Sequence, residues 1–156
     1  MQTQKIQRFW QRFLRESGLP TGTPLYGSFA FGEEAIADDL LARVLCGRKR
    51  ATSSTVIAYE QEGEPMPTVG SYAVVLNAAG APRCVIRVEQ VDIYPFNEMT
   101  FDVIREEGED DCLETWQEAH KQFFTADGVQ LGYAFAEDMP ILFERFSMVY
   151  REEERE

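Results

Sequence analysis

The sequence predicts an α+β fold whose sheet is curved or closed. Two observations carry that expectation. Short strand-like runs are interleaved with helical runs that cross rather than alternate with them, and two helical runs separate the longest strand from the last one. The order reads helix, strand, helix and four further strands, without the regular βαβ alternation of a doubly wound sheet. At 156 residues, 44% hydrophobic and 27% charged, the chain has the length and composition of one globular domain with a real core.

Each element has a local reason. Ile6, Phe9, Trp10, Phe13 and Leu14 recur at helical spacing, so Thr3 to Ser17 is expected as a helix, with Thr3 as its cap and Gly18 and Pro20 as its stop. Leu19 to Gly27 is a Pro- and Gly-bearing connector, and Ser28 to Phe31 a short strand. Glu33 to Leu45 forms the second helix, with acids at its start, an apolar side made by Ile36, Leu40, Leu41 and Val44, and Gly47 ending it. A basic turn, Arg48-Lys49-Arg50, runs into a β-rich segment reaching Val56; Glu60 to Gly70 is expected as a polar loop. Ser71 to Asn77 and Arg83 to Tyr94 read as strands, the second bent, with Cys84, Ile86 and Val88 on one face. Pro95 breaks the sheet, Asn97 to Glu107 and Leu113 to Phe124 are helical, and Ile141 to Arg151 closes as a strand with Leu142, Phe146, Met148 and Tyr150 alternating. Residues 1–27 are thus expected to pack as a helix and connector on a domain of residues 28–151, followed by an acidic tail at 152–156.

Charge narrows the partners. Fifteen Lys and Arg against 27 Asp and Glu give a net charge of −12, which repels an extended phosphate backbone and disfavours duplex DNA. Arg43, Arg48, Lys49 and Arg50 form a local basic cluster able to touch one phosphate. No apolar run suits a membrane span, and the amino-terminal stretch lacks the apolar core of a secretory signal, so a cytoplasmic protein is expected. Three scattered cysteines and a single histidine, His120, suggest neither disulfides nor a metal site.

The chemistry centres on Gly47-Arg48-Lys49-Arg50-Ala51-Thr52. A lysine at a helix-to-strand corner, partly buried and flanked by cations, loses some preference for its charged form and can serve as a base toward a hydroxyl. Thr52 is near enough if the backbone bends; the bland alternative is a solvated basic turn that neutralises a helix end. Ser53 and Ser54 offer hydroxyls or N–H groups to a ligand. His120 shares an apolar helix face with Trp116 and Phe123 and reads first as a core or rim histidine. Trp10 and Trp116 read as core; Tyr26, Tyr59 and Tyr94 are candidate base platforms.

This segment resembles the GxKxxT signature of the ASCH domain family, a branch of the PUA-like fold. The likeness runs from Ser28 to Tyr150 and takes in the Pro-rich Glu64 to Gly70, the Glu106-Glu107-Gly108-Glu109 stretch with Trp116 and His120 after it, and Glu144-Arg145-Phe146. It implies a small β-barrel with flanking helices and a pocket beside the lysine. Some small bacterial relatives hydrolyse the amide of N4-acetylcytidine; for this chain the implied reaction is a metal-independent amide hydrolysis that uses no cofactor. Carried over by motif, Lys49 is the proton acceptor and Thr52 the nucleophile. A gapless count from the long strand makes Glu107 the proton donor, with Glu106 its rival after a one-residue slip. A donor must be protonated, and the neighbouring Glu106, Glu109, Asp110 and Asp111 are expected to raise its pKa. The implied ligand is a modified pyrimidine nucleoside or a single nucleotide of single-stranded RNA, with Arg48, Arg50, Ser53 and Ser54 contacting it. Other relatives imply a non-catalytic RNA-binding module linked to translation, or a ribonuclease. Arg50 and Ala51 make the corner unusually basic, and extra segments at 58–67 and 108–138 are expected to roof the pocket.

Overall fold

The computed structural model describes residues 2–152; Met1 and the last four residues of the expected tail lie outside the described residues. Helix α1 (Gln2–Ser17) buries its predicted stripe, and Trp10, Phe13 and Phe9 pack their rings against Tyr72 and Tyr150. Thr3 lies inside this helix rather than capping it. Strand β1 (Gly27–Phe29) is followed by α2 (Glu34–Leu45), β2 (Ala51–Thr55), α3 (Val56–Glu62), β3 (Tyr72–Leu76) and β4 (Pro82–Pro95). A short 3-10 turn, α4 (Phe101–Ile104) and a second 3-10 turn (Arg105–Glu107) lead to α5 (Leu113–Leu131) and β5 (Pro140–Arg151).

Three expectations change. Helix α3 replaces the end of a strand and the start of a loop, because the Thr55 side chain accepts a hydrogen bond from the Ala58 N–H at 3.3 Å and caps it. The helix expected at Asn97 to Glu107 is broken into three short turns. Helix α5 runs on past Phe124 to Leu131, where Gly132 in the left-handed region ends it.

Among the described residues the sheet has five strands in the order β1-β3-β4-β5-β2, with β1 parallel to β3 and the other neighbours antiparallel. It curls into a half-barrel whose edges, β1 and β2, do not pair with each other. Register shifts at Val85/Ile86 and Val88/Gln90 supply the predicted bend in β4. The first shift also turns Tyr150 toward α1, whereas Met148 stays with the α2 side, so the expected alternation along β5 fails at its end.

The core has three parts. Val74 and Val85 meet α1; Ala73, Val75, Cys84, Ile86 and Phe146 meet α2; Ala51, Ile141 and Phe143 meet Trp116 and Phe124 of α5. No helix among the described residues is long and apolar enough to cross a membrane.

Candidate active site

The corner after α2 is tight. Both the Arg48 and Lys49 N–H groups donate to the Arg43 carbonyl, at 2.9 and 3.0 Å, after Gly47 adopts φ 83°. The acidic turn after α4 docks on this corner through Gly108, which has φ 71°. A Cβ at Gly108 would sit 2.3 Å from the Arg48 carbonyl oxygen, so only glycine permits the approach. Arg43 Nη1 donates to the Gly108 carbonyl at 2.6 Å, and the Arg50 N–H to the Glu106 carbonyl at 2.9 Å. Seated there, the turn delivers Glu107 and Glu109 to one lysine from either side of the glycine.

Lys49 is 2% exposed. Its Nζ donates to the Ala51 carbonyl at 2.8 Å and to Glu109 Oε2 at 2.7 Å, and lies 4.0 Å from Glu107 Oε1 and 5.2 Å from the Phe31 ring centroid. Its neighbours are therefore acids, not the arginines beside it in sequence: Arg48 and Arg50 are exposed, and neither lines the cavity at the lysine. Glu107 is 1% exposed; its Oε2 accepts from Ser53 Oγ at 2.8 Å and from Trp116 Nε1 at 2.7 Å, and its Oε1 lies 3.5 Å from His120 Nε2. Glu106 points elsewhere, accepting from Arg145 Nε at 2.7 Å, and of the two glutamates it is Glu107 that lines the cavity at the lysine.

The protonation of Glu107 departs from expectation. Burial pushes its carboxyl up, but the His120 hydrogen bond and charge, the Lys49 charge and the Ser53 hydroxyl together pull it below the ordinary carboxylate value. At rest it is a carboxylate, not the protonated acid expected from its acidic neighbours. Burial pushes the His120 imidazole down, yet its contact with Glu107 and the Trp116 carbonyl, 2.9 Å from Nδ1, carry it above its ordinary value. The imidazole stacks on Trp116 with centroids 4.2 Å apart. His120 is thus both a packed rim residue, as expected, and the ion partner of Glu107.

These groups line a half-open cavity of about 220 Å³ between α2, β2 and α5. Lys49, Thr52, Ser53, Ser54, Glu107, Glu109 and His120 form its polar wall; Phe31, Ile36, Leu40 and Phe123 form the apolar one. Thr52 shares the cavity with Lys49, but among the described residues no hydrogen bond joins them. Of the extra segments, 108–138 supplies Glu109, Ala119, His120 and Phe123 to this wall. No group of three or more His, Cys, Asp or Glu among the described residues is placed to hold a metal ion.

The model of the ASCH domain matches residues 27–150, most of the chain. The chain belongs to the ASCH family. It resembles the crystal structure of an ASCH domain from Lactobacillus crispatus JV V101, with 35% identity, 95% of this chain and 96% of that one covered, and a TM-score of 0.83. It also resembles an Enterococcus faecalis V583 protein of the family DUF984, with 30% identity, 94% and 89% covered, and a TM-score of 0.86. No curated protein matches it. The fold is accordingly the ASCH variant of the PUA-like architecture, a curled half-barrel with helices packed around it.

Two site residues escaped sequence reasoning. Glu109 stood in the acidic run but was indistinguishable from its neighbours until Gly108 set its direction. Glu144, 7% exposed, lies opposite Thr52 in the β2–β5 register, and burial lifts its carboxyl to about 7 against a smaller opposing pull from Lys49. Its signals were an acid at an inward position of a strand and its place in the Glu144-Arg145-Phe146 stretch of the resemblance.

Proposed function

We propose that this ASCH protein hydrolyses the exocyclic amide of a modified pyrimidine nucleoside of the N4-acetylcytidine type. The observation that carries the reading is a buried lysine that nevertheless forms part of a cavity wall shared with Thr52. A buried cation held by named acceptors is positioned for proton transfer.

In this reading Thr52 Oγ1 attacks the acyl carbon while its proton passes to Lys49, whose own proton has moved along the 2.7 Å bond to Glu109. The C–N bond breaks, and the departing amine takes a proton through Glu107, drawn from His120. Water then adds to the acyl ester on Thr52, one of its protons returning through Glu107 to His120; Lys49 gives the Thr52 alkoxide back its proton and recovers its own from Glu109, and acetic acid leaves and ionises to acetate. Ser53 and Trp116 keep Glu107 oriented throughout. The test is incubation of the protein with N4-acetylcytidine and a chelator, followed by chromatography for cytidine. The wild type produces cytidine, and Lys49→Met lowers the rate by at least about a hundredfold; no cytidine above the Lys49→Met background would refute the proposal.

A second reading, RNA binding without chemistry, is favoured by one feature that the sequence reading passed over. Lys5, Arg8, Arg12 and Arg15 follow one another at three-, four- and three-residue steps along the solvent side of α1, a basic stripe on an acidic chain. The ASCH family is generally associated with RNA binding. This reading predicts salt-sensitive binding of a single-stranded oligonucleotide that Arg8→Glu with Arg15→Glu weakens about tenfold, with the strand left intact. Shortening of the strand would indicate the ribonuclease instead.

A further inference from the structure

The apolar wall of the lysine cavity comes from two helices. Helix α2 supplies Ile36 and Leu40, and α5 supplies Ala119 and Phe123, in each case a pair one helical turn apart. Leu40 is buried in the core under α2, but Ile36 is 47% exposed and Phe123 is 40% exposed. They are among the few large apolar side chains that the described residues leave in water, and both stand on one cavity. A single exposed apolar residue is ordinary, whereas two brought to the same rim by different helices mark a surface that a ligand covers.

Both side chains are held in place. Gly32, itself part of the lining, has φ 69° and leaves room for the α2 pair, since a Cβ there would lie 2.8 Å from Leu40 Cδ1 and 2.9 Å from Ile36 Cδ1. The Phe123 ring meets the buried Phe124 edge to face, with centroids 5.8 Å apart. No arginine lines the cavity, and Lys49 already has Glu109 and Glu107 beside it, so the rim offers a ligand apolar contact rather than free positive charge. A second cavity of about 210 Å³, beside Glu144, shares Thr52 and Ser54 with the first but neither Ile36 nor Phe123. The two rim residues therefore mark one side of Thr52 alone.

We propose that Phe123 and Ile36 are specificity-determining residues that hold the two faces of a planar heterocycle, Phe123 by stacking on it, while the edge of the ring meets Thr52, Ser53 and Ser54. The half-open cavity of about 220 Å³ has room for a six-membered ring, with its sugar at the mouth. The substrates are then acyl derivatives of flat aromatic amines; an amide on a puckered sugar or an aliphatic chain lacks the face that Phe123 meets. The inference rests on the nucleoside reading of this cavity and deepens it by naming what recognises the ring.

The experiment is proton NMR titration of the full chain with cytidine and with N-acetylglucosamine, an amide on a puckered ring. It uses the wild type, Phe123→Tyr, Phe123→Leu and Ile36→Ser, and circular dichroism checks that each is folded. The cytidine H5 and H6 signals are expected to move upfield in the wild type and in Phe123→Tyr, under the ring current of residue 123. In Phe123→Leu that movement is lost and cytidine binds about tenfold more weakly. Ile36→Ser keeps the upfield movement and binds about threefold more weakly. N-acetylglucosamine is expected to stay unbound. Cytidine signals that do not move upfield in the wild type, an affinity unchanged in Phe123→Leu or Ile36→Ser, or N-acetylglucosamine bound as tightly as cytidine would overturn the proposal. The two proposals fail separately. Phe123-dependent stacking of cytidine without turnover of N4-acetylcytidine removes only the hydrolase, and turnover with the cytidine affinity of Phe123→Leu unchanged removes only the ring-holding role.

Discussion

Gly108 shows how a single missing side chain assembles a site. Its left-handed φ of 71° and its backbone contact with Arg48 allow the acidic turn to close on the lysine corner, and Glu107 and Glu109 then reach Lys49 together. Backbone cannot yield to a Cβ at 2.3 Å as a flexible side chain would. Gly108→Ala is therefore expected to destabilise the protein by about 2 kcal/mol or more and to abolish the activity proposed for Lys49, measured by denaturant unfolding and by cytidine release. A variant as stable and as active as the wild type would remove Gly108 from this role. The same residue explains a limit of sequence reading. Glu107 was reachable by counting, but Glu109 was not, because only the turn geometry tells it apart from Asp110 and Asp111.

At the level of elements, α5 brings Trp116 and His120 to Glu107 because they stand one turn apart on its buried side. That pairing makes a pH-dependent contribution to stability. Burial opposes the charged His120, but Glu107 outweighs it and the folded-state pKa is raised, so the increment is full below the unfolded value near 6.5 and is lost as pH climbs through the folded one. The stability gap between the wild type and His120→Gln, read from urea unfolding, should shrink from pH 6 to pH 9; a constant or growing gap would contradict the pairing. The helix itself was legible from its apolar spacing up to Phe124. Its extension to Leu131 was not, since Val129 is exposed and the end depends on Gly132. Helix α3 was missed because β-branched Val56 and Ile57 continue the pattern of β2, and the prolines at 65 and 67 announce a loop; Thr55 as a cap decided otherwise.

On the scale of the molecule, the order of strands sets two cavities side by side, with Thr52 and Ser54 lining both. The sequence foretold a curved sheet but not where it stays open, since the β1–β3 parallel pairing depends on contacts far apart in the chain. With β1 and β2 unpaired, Thr52 on the β2 edge stands between the lysine and the Glu144 compartment. The net charge of −12 is also unevenly spread, for α1 holds four cations against Glu16 alone. The central claim is that the Thr52 hydroxyl is the nucleophile and Lys49 the group that activates it. Intact-mass spectrometry of rapidly quenched protein with N4-acetylcytidine tests it most directly. One acetyl group should appear on Thr52 in the wild type and be absent in Thr52→Ala and Lys49→Met. Cytidine formation undiminished in Thr52→Ala, or an acetyl group found on another residue, would contradict it.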